Sequence, residues 1–323
     1  MMPEPHILAR RTDHPYQAKD LTDLPADLRQ LADPSLGPTE PVNSIFVVPS
    51  QVFPGHWWSG PRYLPEQALL FTSQGVLHVQ GMAAPGRAGQ ATYVHGDELV
   101  YVHLSLVLLY GRLELAGLVN GTLSRVIVEY NTVGHDLLRP ALYQLLRMTW
   151  KQDQAQDNDE HTGILLDQLE EQSLKFRNGL RYYALQSDER LLGFVLQPRI
   201  TQRYWRLFRR LIAPAALLAL TDHQLIVIEE NRTTSAAYGW IFTFCPRTCV
   251  AGIEAKPNTE YQDLTARLVR EQVTVDRQVR LSDEKATAWR DIWTRHGYEW
   301  NVATGEAGQT DHAQAAPGAS HAG

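Results

Sequence analysis

Five arginines, Arg199, Arg203, Arg206, Arg209 and Arg210, fall in a twelve-residue run that holds no acid. Such a run could contact an anionic headgroup or a membrane surface. Drawn as a helix, it puts Arg199, Arg203, Arg206 and Arg210 in one stripe and Tyr204, Leu207, Phe208 and Leu211 in another. The competing expectation is a helix packed by its aromatic face, its arginines solvated and paired in part with acids between 153 and 171. A second segment, Phe53-Pro54-Gly55-His56-Trp57-Trp58, is aromatic and carries no formal charge. Tryptophans held between Gly and Pro could form a contact tip, offering large area at small entropy cost, or could fill a gap between domains.

The other reactive side chains lead toward packing. Cys245 and Cys249, the only cysteines, have a C-x3-C spacing with no second pair to complete a zinc tetrahedron, so buried thiols near a strand end are expected. His95-Gly96-Asp97-Glu98 offers ligand types but reads as a turn between strands. No G-x-S-x-G elbow, phosphate-binding glycine loop or H-E-x-x-H helix occurs. A catalytic centre would need a deep pocket with polar groups converging near His95, Glu98 or His103. The expectation is a chain that is not an enzyme, with no catalytic residue, no metal and no cofactor.

The elements that position these residues repeat. Residues 44–49 (Ser-Ile-Phe-Val-Val-Pro) match 193–198 (Gly-Phe-Val-Leu-Gln-Pro) at an offset of 149, and residues 69–79 match 218–228 at the same offset. Identities are few (Pro49 with Pro198, Leu69 with Leu218, Thr72 with Thr221), so the match rests on the apolar pattern. Both copies of the second block read as a hairpin around a polar turn. Val100, Val102, Leu104, Leu106 and Leu108 share one parity, and Asn120-Gly121 is a strong hairpin turn before Val126 and Val128. Trp240, Phe242 and Phe244 share a parity later on.

Each copy then closes with an amphipathic helix. Leu138, Leu142, Leu145 and Thr149 align after His135-Asp136, with Pro140 placed near the first turn. Trp289, Ile292, Trp293 and His296 align after the capping run Ser282-Asp283-Glu284. In this order of elements, and in the blocks at 71–80 (FTSQGVLHVQ) and 220–230 (LTDHQLIVIEE), the chain resembles tandem bacterial pleckstrin-homology-like domains, relatives of the PH and GRAM groups. The resemblance covers about residues 41–150 and 190–298. It implies a mainly β fold with α: two bent antiparallel sheets, each capped by a C-terminal helix. It also implies a noncatalytic module that binds lipids, peptides or proteins.

The remaining segments are expected to be a loosely packed N-terminal arm (1–40) with a short helix near 24–31, an acidic helical linker (151–189) and a disordered tail (299–323). The net charge of −6 over 323 residues argues against global nucleic-acid binding. No apolar run approaches the roughly 20 residues of a membrane-spanning helix, and the first eleven residues do not read as a signal peptide. The expected location is the cytoplasm, with peripheral attachment at the inner face of the membrane if the arginines contact lipid. The leading expectation is an unidentified protein partner, with anionic lipid as the alternative.

Overall fold

The computed structural model describes residues 14–37, 40–53, 62–82, 88–150, 159–204, 208–231, 239–258 and 261–302. As the sequence predicts, the described chain is mainly β with α, dominated by antiparallel sheet.

The N-terminal segment packs more tightly than its composition suggests. Strand β1 (Tyr16–Ala18) precedes helix α1 (Ala26–Ala32), which buries Leu28 and Ala32 a turn apart, and Leu24 is buried just before the helix. Next come β2 (Val42–Val48), β3 (Gln51–Phe53), β4 (Arg62–Leu64), β5 (Gln67–Thr72), β6 (Gly75–Gln80) and β7 (Gln90–His95). Strand β1 pairs antiparallel with β2, setting Tyr16 opposite Val47 and Ala18 opposite Ile45. Ala18, Leu28, Ile45 and Leu70 then share one apolar cluster on the outer face of the sheet β1-β2-β5-β6-β7.

Three longer strands follow: β8 (Leu99–Val107), β9 (Tyr110–Val119) and β10 (Thr122–Asn131). Asn120 and Gly121 turn β9 into β10 with φ of 53° and 72°, the left-handed pair that a two-residue hairpin requires. Helix α2 (His135–Met148) buries Leu138, Leu142 and Leu145 along the expected face; Pro140 lies inside the helix rather than in its first turn.

The linker supplies α3 (Asp159–Gln172) and α4 (Leu174–Tyr183), and both enter the core through Leu169, Phe176 and Leu180. The second half runs β11 (Leu191–Gln197), β12 (Ile200–Tyr204), β13 (Phe208–Ala213), β14 (Ala216–Thr221), β15 (Gln224–Glu230) and β16 (Gly239–Pro246). After these come β17 (Val250–Pro257), β18 (Gln262–Arg270), β19 (Val273–Leu281), α5 (Asp283–Arg295) and β20 (Trp300–Val302). The Ser282 hydroxyl caps α5 by accepting from the Lys285 amide, and Trp289 and Trp293 are wholly buried.

Element order recurs between the halves. The starts of β2 and β11, of β5 and β14, of β6 and β15, and of β7 and β16 are each separated by 149 residues. The strand orders β2-β5-β6-β7 and β11-β14-β15-β16 correspond, as do β8-β9-β10 and β17-β18-β19. Even the irregularities recur, since β2 slips register between Val42 and Ser44 and β11 slips between Leu191 and Gly193.

One sheet crosses between the halves. Strand β8 pairs antiparallel with β16, from Val102 opposite Phe244 to Val107 opposite Gly239, giving the seven-stranded order β10-β9-β8-β16-β15-β14-β11. Residues from both halves then share one core that includes Phe46, Leu142, Leu217 and Phe242. The tail expected to be disordered over 299–323 begins instead with a strand at Trp300–Val302, and its residues from 303 on lie outside the described residues. Strand β20 pairs parallel with β17, Trp300 opposite Ile253, because Tyr298 stacks on Trp293 at 4.1 Å and the Trp293 indole donates to the Glu299 carbonyl at 2.9 Å.

Candidate interaction surfaces

The arginine run is not a helix. Residues Ile200 to Tyr204 and Phe208 to Ala213 form the hairpin β12–β13, with Arg203 opposite Arg209 and Gln202 opposite Arg210. Ile, Thr, Tyr, Phe and Leu dominate these strands, and β-branched and aromatic side chains fit a pleated ribbon better than a helix. Arg199 is exposed just before the hairpin and binds Glu230 at 2.6 Å, on a carboxylate that Lys175 also holds at 2.7 Å. Burial would raise the Glu230 pKa, but hydrogen bonds from Lys175 and Arg199 outweigh it and hold the carboxyl below its ordinary value. Arg210 is exposed on β13, and Arg206 lies outside the described residues. The helix that would carry the stripe is therefore replaced by strands over 200–204 and 208–213, and Arg199 is engaged with Glu230.

The aromatic segment sits at the corresponding place in the first half. Phe53 ends β3, opposite Arg62 of β4, while His56, Trp57 and Trp58 lie outside the described residues. Val52 and Tyr63, a cross-strand pair in this short hairpin, are both exposed.

Cys245 and Cys249 are buried at the end of β16 and just beyond it, as the sequence predicts. Burial pushes the Cys245 thiol up to about 12, so it is held as the unreactive thiol. His95, Gly96, Asp97 and Glu98 make the turn between β7 and β8. The His103 ring is bound to the Thr243 hydroxyl at 3.0 Å, and burial first, then Arg277, lowers its pKa to about 4. Among the described residues no three His, Cys, Asp or Glu side chains gather as metal ligands.

Sequence reasoning missed a groove of about 480 Å³ between α3, β11 and α5. Five consecutive β11 residues, 192–196, line it. Successive strand residues point to opposite faces, so a groove that touches all five runs along the strand's edge rather than over one face. One wall is a single face of α3, with Leu165 and Gln168 a turn apart; the other is a face of α5 around Ala288 and Ile292. The helical spacing of His161, Leu165, Gln168 and Gln172 was the available signal, but nothing in it says which strand edge the face will flank. No protein-family model matches the chain, and no curated protein matches it.

At one end of β11 lies a buried carboxylate. Glu189 is 5% exposed and accepts from the Thr221 hydroxyl, from Gln224 Nε2 at 3.0 Å and from the Gln186 amide at 3.2 Å. Burial lifts its pKa to about 7. The first half carries a related arrangement 149 residues earlier, where Glu40 accepts from Tyr93 and the Tyr93 hydroxyl also meets Thr72. Thr72 and Thr221 each accept two amides of the turn that follows them.

Proposed function

We propose that this chain is a noncatalytic binding or scaffolding module, made by duplication of a pleckstrin-homology-like domain, that acts by engaging a protein partner. The recurrence of strand order, register slips and Glu–Thr arrangements at one separation supports the duplication. The observation that carries the binding reading is a difference between the halves. In the first, the outer edge of β2 is closed by β1; in the second, the corresponding edge of β11 pairs with no strand among the described residues and opens into a groove. An unpaired strand edge is a template for association unless the fold manages it.

The competing reading is peripheral attachment to anionic membrane through the β12–β13 hairpin, where Arg210 is exposed and the sequence places five arginines within twelve residues. No helix of the described residues is long and apolar enough to cross a membrane. Two assays on the full chain separate the readings. Cross-linking capture from a native lysate should recover specific, saturable protein partners, and sedimentation with vesicles containing anionic lipid should leave the chain in the supernatant. Salt-sensitive vesicle binding that is lost in an Arg203→Ala, Arg206→Ala, Arg210→Ala variant, together with no captured protein, would replace the protein-binding reading with the membrane one.

A further inference from the structure

Strand β11 is an end strand of the seven-stranded sheet, and its sequence, Leu-Leu-Gly-Phe-Val-Leu-Gln, contains no charged residue. The beginning of its edge is already occupied. The Leu191 amide donates to the Thr162 hydroxyl at 3.1 Å, so α3 fastens one backbone group there. Beyond that point the edge faces the groove. In the first half, β1 pairs with residues 45–47. At the separation of 149 these correspond to residues 194–196, which line the groove. The molecule thus shows what fits beside this kind of edge: one short antiparallel strand.

The walls decide what sort of strand can enter. Strand β11 is recessed between two helices, so the corresponding edge of a second copy, held between its own α3 and α5, could not come within the roughly 4.8 Å spacing of paired strands. A free extended segment could. The groove also lies within the roughly 300–1,000 Å³ typical of ligand sites. Its floor and walls are apolar at Leu165, Phe194 and Ile292, while Lys285, Arg295 and two histidines line it with no carboxylate among the described lining residues. Lys285 meets Glu284 at 3.2 Å, but Glu284 is highly exposed and such a pair holds its lysine weakly. The same positive charge acts on His296, whose pKa is lowered by burial first and then by Arg247, Arg295 and Arg190.

We propose that the β11 edge binds an extended peptide segment of a partner protein as an added antiparallel strand opposite residues 194–196, and that acidic residues flank the segment's apolar centre. This rests on the protein-binding function proposed above and names the partner's chemistry. Main-chain hydrogen bonds would supply affinity, the apolar walls would select alternate side chains, and the basic rim would select charge.

The test uses the full chain and a fluorescein-labelled peptide, Glu-Glu-Val-Thr-Val-Thr-Val-Glu-Glu, alongside a twin with lysines for the glutamates and a twin with proline for the central valine. Polarisation titrations should show the glutamate peptide binding at least about fivefold more tightly than the lysine twin, the scale set by two rim charges at roughly 0.5 kcal/mol each. The proline twin should not bind, because it removes a strand donor. Ala288→Trp fills the groove from an exposed α5 position and should abolish binding with the melting temperature retained. Lys285→Glu with Arg295→Glu should reverse the charge preference, and bound peptide should slow amide exchange in residues 193–197. Equal binding of the two charged peptides, or binding unaffected by Ala288→Trp, would overturn the proposal. So would a peptide that binds only after residues 303–323 are deleted, since the groove would then belong to the chain's own C-terminus. If cross-linking captures protein partners equally with wild type and Ala288→Trp, this site fails while the scaffold reading stands; if nothing is captured, that reading fails first.

Discussion

Replacing Glu189 by Gln is expected to stabilise the protein, and to do so more at pH 8 than at pH 5. The carboxyl is almost wholly buried, and burial moves its pKa from 4.5 to about 7, against the hydrogen bonds from Thr221, Gln186 and Gln224. In the unfolded chain the proton leaves near pH 4.5; in the native chain it stays until about pH 7. Between those values the native state holds a proton that the unfolded state has lost, so stability falls as pH rises and then levels above pH 7. At about 1.4 kcal/mol per pKa unit, the penalty is about 1 kcal/mol at pH 5 and about 3 kcal/mol at pH 8. Glutamine has no proton to lose, so the variant escapes the penalty. Its new amide donor also has a partner close by: Gln224 Oε1 is buried with no hydrogen-bond partner and can turn to accept it.

Urea unfolding of wild type and Glu189→Gln at pH 5 and pH 8 measures this directly. The difference in unfolding free energy should favour the variant at pH 8 and shrink by about 2 kcal/mol at pH 5. A difference that does not change with pH would show that the burial argument is wrong. A variant weaker than wild type at pH 8 would show that the ionised carboxylate is held favourably by its donors.

On the acid side, His78, His103 and His135 are each lowered to about 4, by burial first, so they are neutral when folded. Each unfolded imidazole takes a proton below about 6.5, so stability should fall as pH drops from 6.5 toward 4, by about 1.4 kcal/mol per unit for each histidine. A urea midpoint unchanged between pH 7 and pH 5 would contradict this. Gly75→Ala would put its Cβ 2.2 Å from the Val94 carbonyl oxygen and 2.9 Å from the His95 Cα, both backbone atoms, and should cost about 2 kcal/mol or more by urea unfolding. Gly163→Ala, within α3 with nothing inside 4 Å of the new methyl, should stabilise by about 0.5–1 kcal/mol in the same assay. Deleting residues 1–19 removes β1 and should speed amide exchange at residues 45–47 without affecting residues 225–228; unchanged exchange would show that β1 does not protect that edge.

Elements with a full period were legible in the sequence. Helix α5 was announced by Ser282 and by two tryptophans a turn apart, and the β9–β10 hairpin by Asn120-Gly121. The arginine run was misread because Arg, Leu and Phe fall at three- and four-residue spacing, the helical period, while the β-branched and aromatic residues among them fit a strand. The run from 199 to 210 also has no glycine, proline, asparagine or aspartate, the residues that announce a hairpin turn. Strands β1 and β20 have three residues each, too few to display any period. The β8–β16 pairing was invisible for another reason. Its partners are more than 130 residues apart, and alternation says which face of a strand is buried but nothing about which neighbour its edge will find. The groove inherits that blindness, since it needs one strand edge and two helices to be placed together.

The treatment of its sheet edges gives the molecule a consistent physical logic. Strands β10 and β19, at the ends of their sheets, carry charge along their length at Arg125, Glu129, Asp276 and Arg280, which discourages another sheet from pairing there. At the other end of the β19 sheet stands the three-residue β20, and the first half closes β2 with the equally short β1. Strand β7 ends its sheet with Gln90, Thr92 and His95. Strand β11 has no charge and, among the described residues, no covering strand. An uncharged, largely apolar edge of seven residues would be an aggregation site if it stood on the open surface. Recessing it between α3 and α5 removes that hazard, because a helix wall on each side keeps out another sheet. The same recess is where the proposed peptide strand would enter, so on that proposal the device that protects the edge also sets the shape of its ligand.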